Sequence, residues 1–142
     1  MRLLIDGNIV LDVLKKRLPH YNDSSKIWKL CETDQAAGFI SALTFANLVY
    51  IMRKELDAAG IEDVLKKLSL IFHFTDLSVP DMMKAAEMKW DDFEDALQEA
   101  TAERVHADYI ITRNVRDFYQ SKIMALTPTE YLNRIFQIHK EK

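Results

Sequence analysis

The chain has 142 residues, 49 % hydrophobic and 29 % charged, which suits one packed domain and excludes a disordered polymer. Three glycines and three prolines argue against a many-turned β fold, and a net charge of −3 leaves no global basic field for nucleic acid. The single cysteine, Cys31, has no partner for an internal disulfide and suits a reducing cytoplasm.

Arg2-Leu3-Leu4-Ile5 is a short apolar run closed by Asp6, the pattern of a buried first strand. No signal-peptide pattern precedes it and no apolar run reaches membrane-spanning length, so a soluble, intracellular protein is expected. Asn8 is a capping residue for a helix over Ile9–Lys16 with Leu11 and Leu14 inward, ended by Pro19. Asp23 or Ser24 starts a second helix to about Thr33, in which Cys31 reads as a small buried hydrophobe. Gly38-Phe39-Ile40-Ser41 predicts strand two. A long helix follows over Thr44–Ala59, stopped by Gly60, and another over Ile61–Ile71. Phe72–Leu77 is aromatic and β-branched enough for strand three. Pro80 opens a helix to about Lys89 and Asp92 one to about Val105. Tyr109-Ile110-Ile111-Thr112 predicts strand four and Ile123–Leu126 a short fifth. Pro128 opens a last helix whose apolar face is Tyr131, Leu132, Ile135 and Phe136, before a frayed tail at Lys140-Glu141-Lys142. Helices alternating with short apolar strands predict a single α/β domain over residues 1–142, a three-layer α/β/α fold around a parallel sheet of four to five strands.

In such a fold the strands share one direction and each helix returns antiparallel. Asp6 leaves the carboxyl end of strand one, and Asp117 lies just past the end of strand four. Asp95 begins a helix that runs opposite to strand four, so its start lies at the same edge, with Phe93, Leu97 and Ala100 turned to the sheet. That edge is where open α/β sheets bind ligands, and acids gathered there call for a hard divalent cation. Each segment alone has a plainer reading. Asp6-Gly7-Asn8 is a common turn and cap, Asp92 with Asp95 mimics a capping box, and Asn114 caps a short helix. The coincidence of the three at one edge favours the functional reading.

These segments resemble the PIN domain family of metal-dependent ribonucleases, which includes the VapC-type toxins of toxin–antitoxin pairs. The resemblance rests on Asp6-x-Asn8 after a hydrophobic strand and on Ile40-Ser41-Ala42-Leu43-Thr44 leading into the Asn47–Lys54 helix. It continues with Asp92-Phe93-Glu94-Asp95-Ala96 and the step Ala100-Thr101-Ala102. Its most specific block is Ala107-Asp108-Tyr109-Ile110-Ile111-Thr112-Arg113-Asn114-x-x-Asp117-Phe118. The resemblance implies a Rossmann-like PIN fold and a Mg2+- or Mn2+-dependent endoribonuclease whose metal-binding and catalytic acids are Asp6, Asp95 and Asp117. Asn8, Thr112 and Asn114 would shape the site, and Asp92 would be an outer-sphere acid or only the helix cap. The family usually carries a further acid, commonly Glu, where this chain has Asn47. An amide oxygen can still ligate Mg2+ but brings no charge, which leaves one or two metals open. Arg113 and Arg116 would hold the RNA backbone. The partners implied are RNA, an antitoxin protein and a second copy of the chain, with no membrane.

Two rivals remain. One is the same fold with a weakened metal site, a module that binds RNA or protein. The other is a phosphoacceptor domain of receiver type, which needs an acidic pair after strand one, an Asp after strand three and a Lys after strand five. Only Asp76 and Thr112 loosely fit it.

Overall fold

In a computed structural model the chain is described over residues 1–141, with side chains described through residue 138. Five strands, β1 (Arg2–Ile5), β2 (Ala37–Ser41), β3 (His73–Thr75), β4 (Tyr109–Ile111) and β5 (Met124–Leu126), form one parallel sheet in the order β3-β2-β1-β4-β5. The helices are α1 (Gly7–Leu14), α2 (Tyr21–Glu32), α3 (Ala42–Met52), α4 (Ala58–Ile71), α5 (Val79–Met88), α6 (Phe93–Arg104) and α7 (Pro128–Glu141). A 3-10 turn, Val115–Phe118, lies between β4 and β5.

Alternation along the strands sorts the core into two layers. Leu3, Ile5, Ile40, Ile111 and Leu126 share one face with Ile27, Leu48, Leu68 and Tyr131 from α2, α3, α4 and α7. Leu4, Phe39, Ile110 and Ala125 take the other face, against Ala102, Val105 and Phe118. Outside that layer, α5 packs on α6 through Ala85, Ala96 and Leu97. The architecture is three-layer α/β/α around a five-stranded parallel sheet, as the sequence predicts. Cys31 is buried on the first face, and at Gly38 a Cβ would fall 2.7 Å from its Sγ and 2.8 Å from Phe72 Cδ1. Among the described residues no helix is long and apolar enough to cross a membrane.

Several boundaries depart from expectation. Gly60 does not stop a helix. The chain breaks after Met52, and Asp57 caps α4 by accepting the Gly60 N–H at 2.8 Å, which places this glycine in a first turn. Asn8 lies inside α1 rather than capping it, because Asp6 takes the N-cap position. Leu14 and Phe93, expected inward, are 36 % and 48 % exposed. Each sits at an end of its helix, where the sheet no longer reaches. Tyr131 is buried but Phe136 is 66 % exposed, so the apolar stripe of α7 outruns the sheet beneath it. The α7 backbone is helical through Glu141 where a frayed tail was expected, and Lys142 lies outside the described residues.

Candidate active site

The strand order reverses direction between β1 and β4, and the crevice outside their carboxyl ends is the topological switch point of the sheet. Asp6 stands there. Its backbone is fixed by donating its N–H to Ile111 O at 3.0 Å and by accepting the Ile9 N–H at 3.0 Å. The side chain makes no capping bond and instead accepts Thr112 Oγ1 at 2.8 Å through Oδ2. Thr112 is fully buried and its Oγ1 also accepts the Asn114 N–H at 3.1 Å. Burial raises the Asp6 carboxyl above its ordinary range. The Thr112 hydroxyl, the Gly7 and Asn8 amides and the Arg113 guanidinium pull the other way and do not cancel that rise.

The second acid comes from α6. Asp92 is the N-cap, its Oδ1 accepting the Asp95 N–H at 3.0 Å, so its capping role is real whatever else it does. Asp95, one turn in, is half-buried. Burial first, then the carboxylates of Asp92, Asp117, Asp6 and Glu94, push its carboxyl up to about 6. Four neighbouring negative groups acting on one side chain are the mark of an acidic focus.

Asp6 and Asp95 line one cleft of about 190 Å³ with Asn8, Asn47, Thr44 and Gln98. Leu11, Leu43, Leu48 and Ile51 form its apolar wall. Gln98 donates through Nε2 to Thr44 Oγ1 at 3.0 Å, tying α6 to α3 across the cleft. Asp117 does not line it. The residue borders another depression with Arg113, Asn114, Arg116 and Glu130, and its carboxylate acts on Asp95 across space. Asn114 gives the 3-10 turn no side-chain cap; its carbonyl accepts the Asp117 N–H at 3.0 Å while its own N–H goes to Thr112 Oγ1. Arg113 lies 3.6 Å from Asp12 Oδ2, a carboxylate with no exposure that also accepts Ser24 Oγ at 3.1 Å.

Sequence reasoning passed over Gln98, Glu94 and Asp12. The spacing of Gln98, three residues beyond Asp95, put it on the same helix face and was the available signal. Asp12 gave none, since an acid in a surface helix reads as solvated.

The cleft offers only oxygen and amide donors, which fit a hard cation such as Mg2+ or Mn2+ and not a soft one. Among the described residues no three His, Cys, Asp or Glu side chains are grouped closely enough to hold an ion by themselves. Three acids, Asp6, Glu94 and Asp95, line the cleft, enough for Mg2+, which typically takes one or two protein carboxylates and fills its remaining positions with water or phosphate oxygen.

Comparison with known proteins bears on the family. A search of curated proteins returns no match. Solved structures with the same fold include VapBC-1 from nontypeable Haemophilus influenzae, 16 % identical over 91 % of this chain and 99 % of that chain, TM-score 0.69. VapBC2 from Rickettsia felis, bound to a DNA fragment from its promoter, is 18 % identical over 89 % of this chain and 98 % of that chain, TM-score 0.67. VapC20 of Mycobacterium tuberculosis, a sarcin–ricin loop cleaving toxin, is 12 % identical over 76 % of this chain and 86 % of that chain, TM-score 0.61. Identities this low speak for the fold alone, but a family model described as PIN domain matches residues 2–116 of the sequence itself. The chain belongs to the PIN domain family.

Proposed function

We propose that this protein is a divalent-metal-dependent endoribonuclease acting as the toxin of a toxin–antitoxin pair. The observation that carries the reading is the crowding of acids on Asp95 in a cleft it shares with Asp6. Such crowding destabilises an empty site and is relieved by a cation. Asp6 and Asp95 would hold Mg2+ or Mn2+, with Asn47 and Asn8 as neutral oxygen donors at the rim. When bound, the ion supplies a water of lowered pKa and positive charge against the scissile phosphate.

The chain's own residues do the rest. Thr112 fixes the rotamer of Asp6 and favours its charged form. Asp117 adds negative charge at the edge of the site and would be its third acid. Arg113 and Arg116 border the same depression as Asp117 and would hold the RNA backbone there, Arg113 being steadied by Asp12. The apolar wall of Leu11, Leu43, Leu48 and Ile51 limits water on one side of the cleft.

An antitoxin partner is supported by the VapBC complexes among the structural neighbours, and RNA as substrate by the loop-cleaving VapC20. A second copy of this chain and a cytoplasmic location belong to the same proposal. Asn47 supports a second reading, a PIN-fold module that binds RNA or protein through a weakened metal site, because this cleft residue brings no charge.

Labelled RNA incubated with the purified protein separates the two. Cleavage is expected with Mg2+, lost in EDTA, restored by added metal, and reduced at least about 100-fold by Asp6→Asn, beyond what loss of an outer-shell partner usually costs. Cleavage that continues in EDTA or in Asp6→Asn overturns the nuclease reading. Intact fold with neither cleavage nor Mn2+ binding supports the module.

A further inference from the structure

Among the described residues Asp12, Asp81 and Glu99 are acids buried as deeply as the core and outside the lining of the cleft; Asp12 and Asp81 are paired with Arg113 and Arg104, whereas Glu99 is held by hydroxyl and amide donors. Glu99 is 1 % exposed on α6, one turn after Asp95. Its Oε2 accepts Ser121 Oγ and, at 3.4 Å, the Ile123 N–H. Its Oε1 has no partner as an acceptor. Glu103 lies beside it, bonded to Lys84 on α5 at 2.8 Å, so a proton on Glu99 would turn the orphan oxygen into a donor toward Glu103. A carboxylic acid here is costly unless it holds something in place.

What it holds is the segment that carries Asp117. Ser121 lies three residues past the 3-10 turn and donates its N–H to Phe118 O at 3.0 Å, while its Oγ is also bonded to Ile123. The other flank of the turn is fixed at Asn114, whose N–H is bonded to Thr112 Oγ1, the hydroxyl that also grips Asp6. One flank is thus tied to Asp6 and the other to the helix of Asp95. We propose that Glu99 and Ser121 form a tether that sets the distance of the Asp117 turn from Asp95, making Glu99 a positioning residue for the metal site. The proposal rests on the metal-site reading given above.

Two measurements test it, on Ser121→Ala, on Glu99→Leu, and on Glu99→Gln, which keeps an acceptor for Ser121 and a donor for Glu103. The first is amide exchange of the Asp117 N–H, which donates to Asn114 O at 3.0 Å, recorded by NMR without metal. The second is Mn2+ affinity by titration. Ser121→Ala and Glu99→Leu are expected to speed the exchange and to weaken Mn2+ binding by roughly 10-fold, as loss of an outer-shell support does, with Glu99→Gln within about twofold of wild type. Unchanged exchange in both disruptive variants overturns the tether. Faster exchange with wild-type Mn2+ affinity overturns the positioning role. If the wild-type protein itself binds no Mn2+, the metal-site reading fails first and the positioning role falls with it.

Discussion

Replacing Asp95 by Asn should stabilise the metal-free protein, an unusual outcome for a change in a functional cleft. Burial and the charges of Asp92, Asp117, Asp6 and Glu94 raise the Asp95 carboxyl from 3.8 to about 6. At 1.36 kcal/mol per unit the ionised form would cost the folded state about 3 kcal/mol, which partial exposure and salt reduce to about 1–2 kcal/mol. The sign follows from linkage: a raised pKa adds nothing unfavourable below pH 3.8, and its effect grows until the group is fully ionised above about pH 6. The variant keeps the backbone N–H that Asp92 accepts, so the helix cap survives. Thermal unfolding in EDTA at pH 7.5 should therefore show Asp95→Asn melting about 3–8 °C above wild type, with the two converging near pH 4. Adding Mg2+ at tenfold its Kd should raise wild-type stability by about 1.4 kcal/mol and leave the variant unmoved. An Asp95→Asn protein that melts below wild type in EDTA at pH 7.5 would refute the claim that like charges are crowded there.

Glu99→Gln should flatten the pH dependence of stability. Burial, then the hydrogen bond and charge of Glu103, raise Glu99 to about 7 against the opposing bonds of Ser121 and Ile123, so its favourable contribution is lost as pH rises from 4.5 through about 7. Glu103, drawn down by Glu99 and Lys84, partly offsets this. In urea at pH 8 the variant should be the more stable by no more than about 3 kcal/mol, with the difference gone at pH 4.5. Thr112→Val removes the hydroxyl that Asp6 accepts, and Mn2+ affinity by calorimetry should fall about 10–100-fold. Gly38→Ala forces a methyl against Cys31 and Phe72, both buried, and denaturant unfolding should show a loss of about 1–3 kcal/mol.

The sheet was legible because its apolar runs are short and each ends on a polar residue at the same edge. Given parallel strands, Asp6 after β1 and Asp95 at the start of α6 had to approach one another, and they share a cleft. Asp117 lies past the end of β4 and acts on Asp95, but it borders a different depression from the cleft; the 3-10 turn that carries it is held through Thr112 and Ser121, bonds of tertiary origin that the sequence does not display. The α3–α4 break was misplaced for a local reason: Gly60 looks like a stop unless Asp57 is seen to cap over it. Glu99 was invisible, because its partner Ser121 lies 22 residues away and a glutamate in a helix suggests solvent. Phe93 obeyed helical spacing with Leu97 yet lies beyond the reach of the sheet.

The most direct test of the metal-site claim is anomalous diffraction at the manganese edge from crystals grown with MnCl2. The account predicts a peak within roughly 2.5 Å of carboxylate oxygens from both Asp6 and Asp95. Manganese bound elsewhere, or a cleft that stays empty at saturating metal, would contradict it.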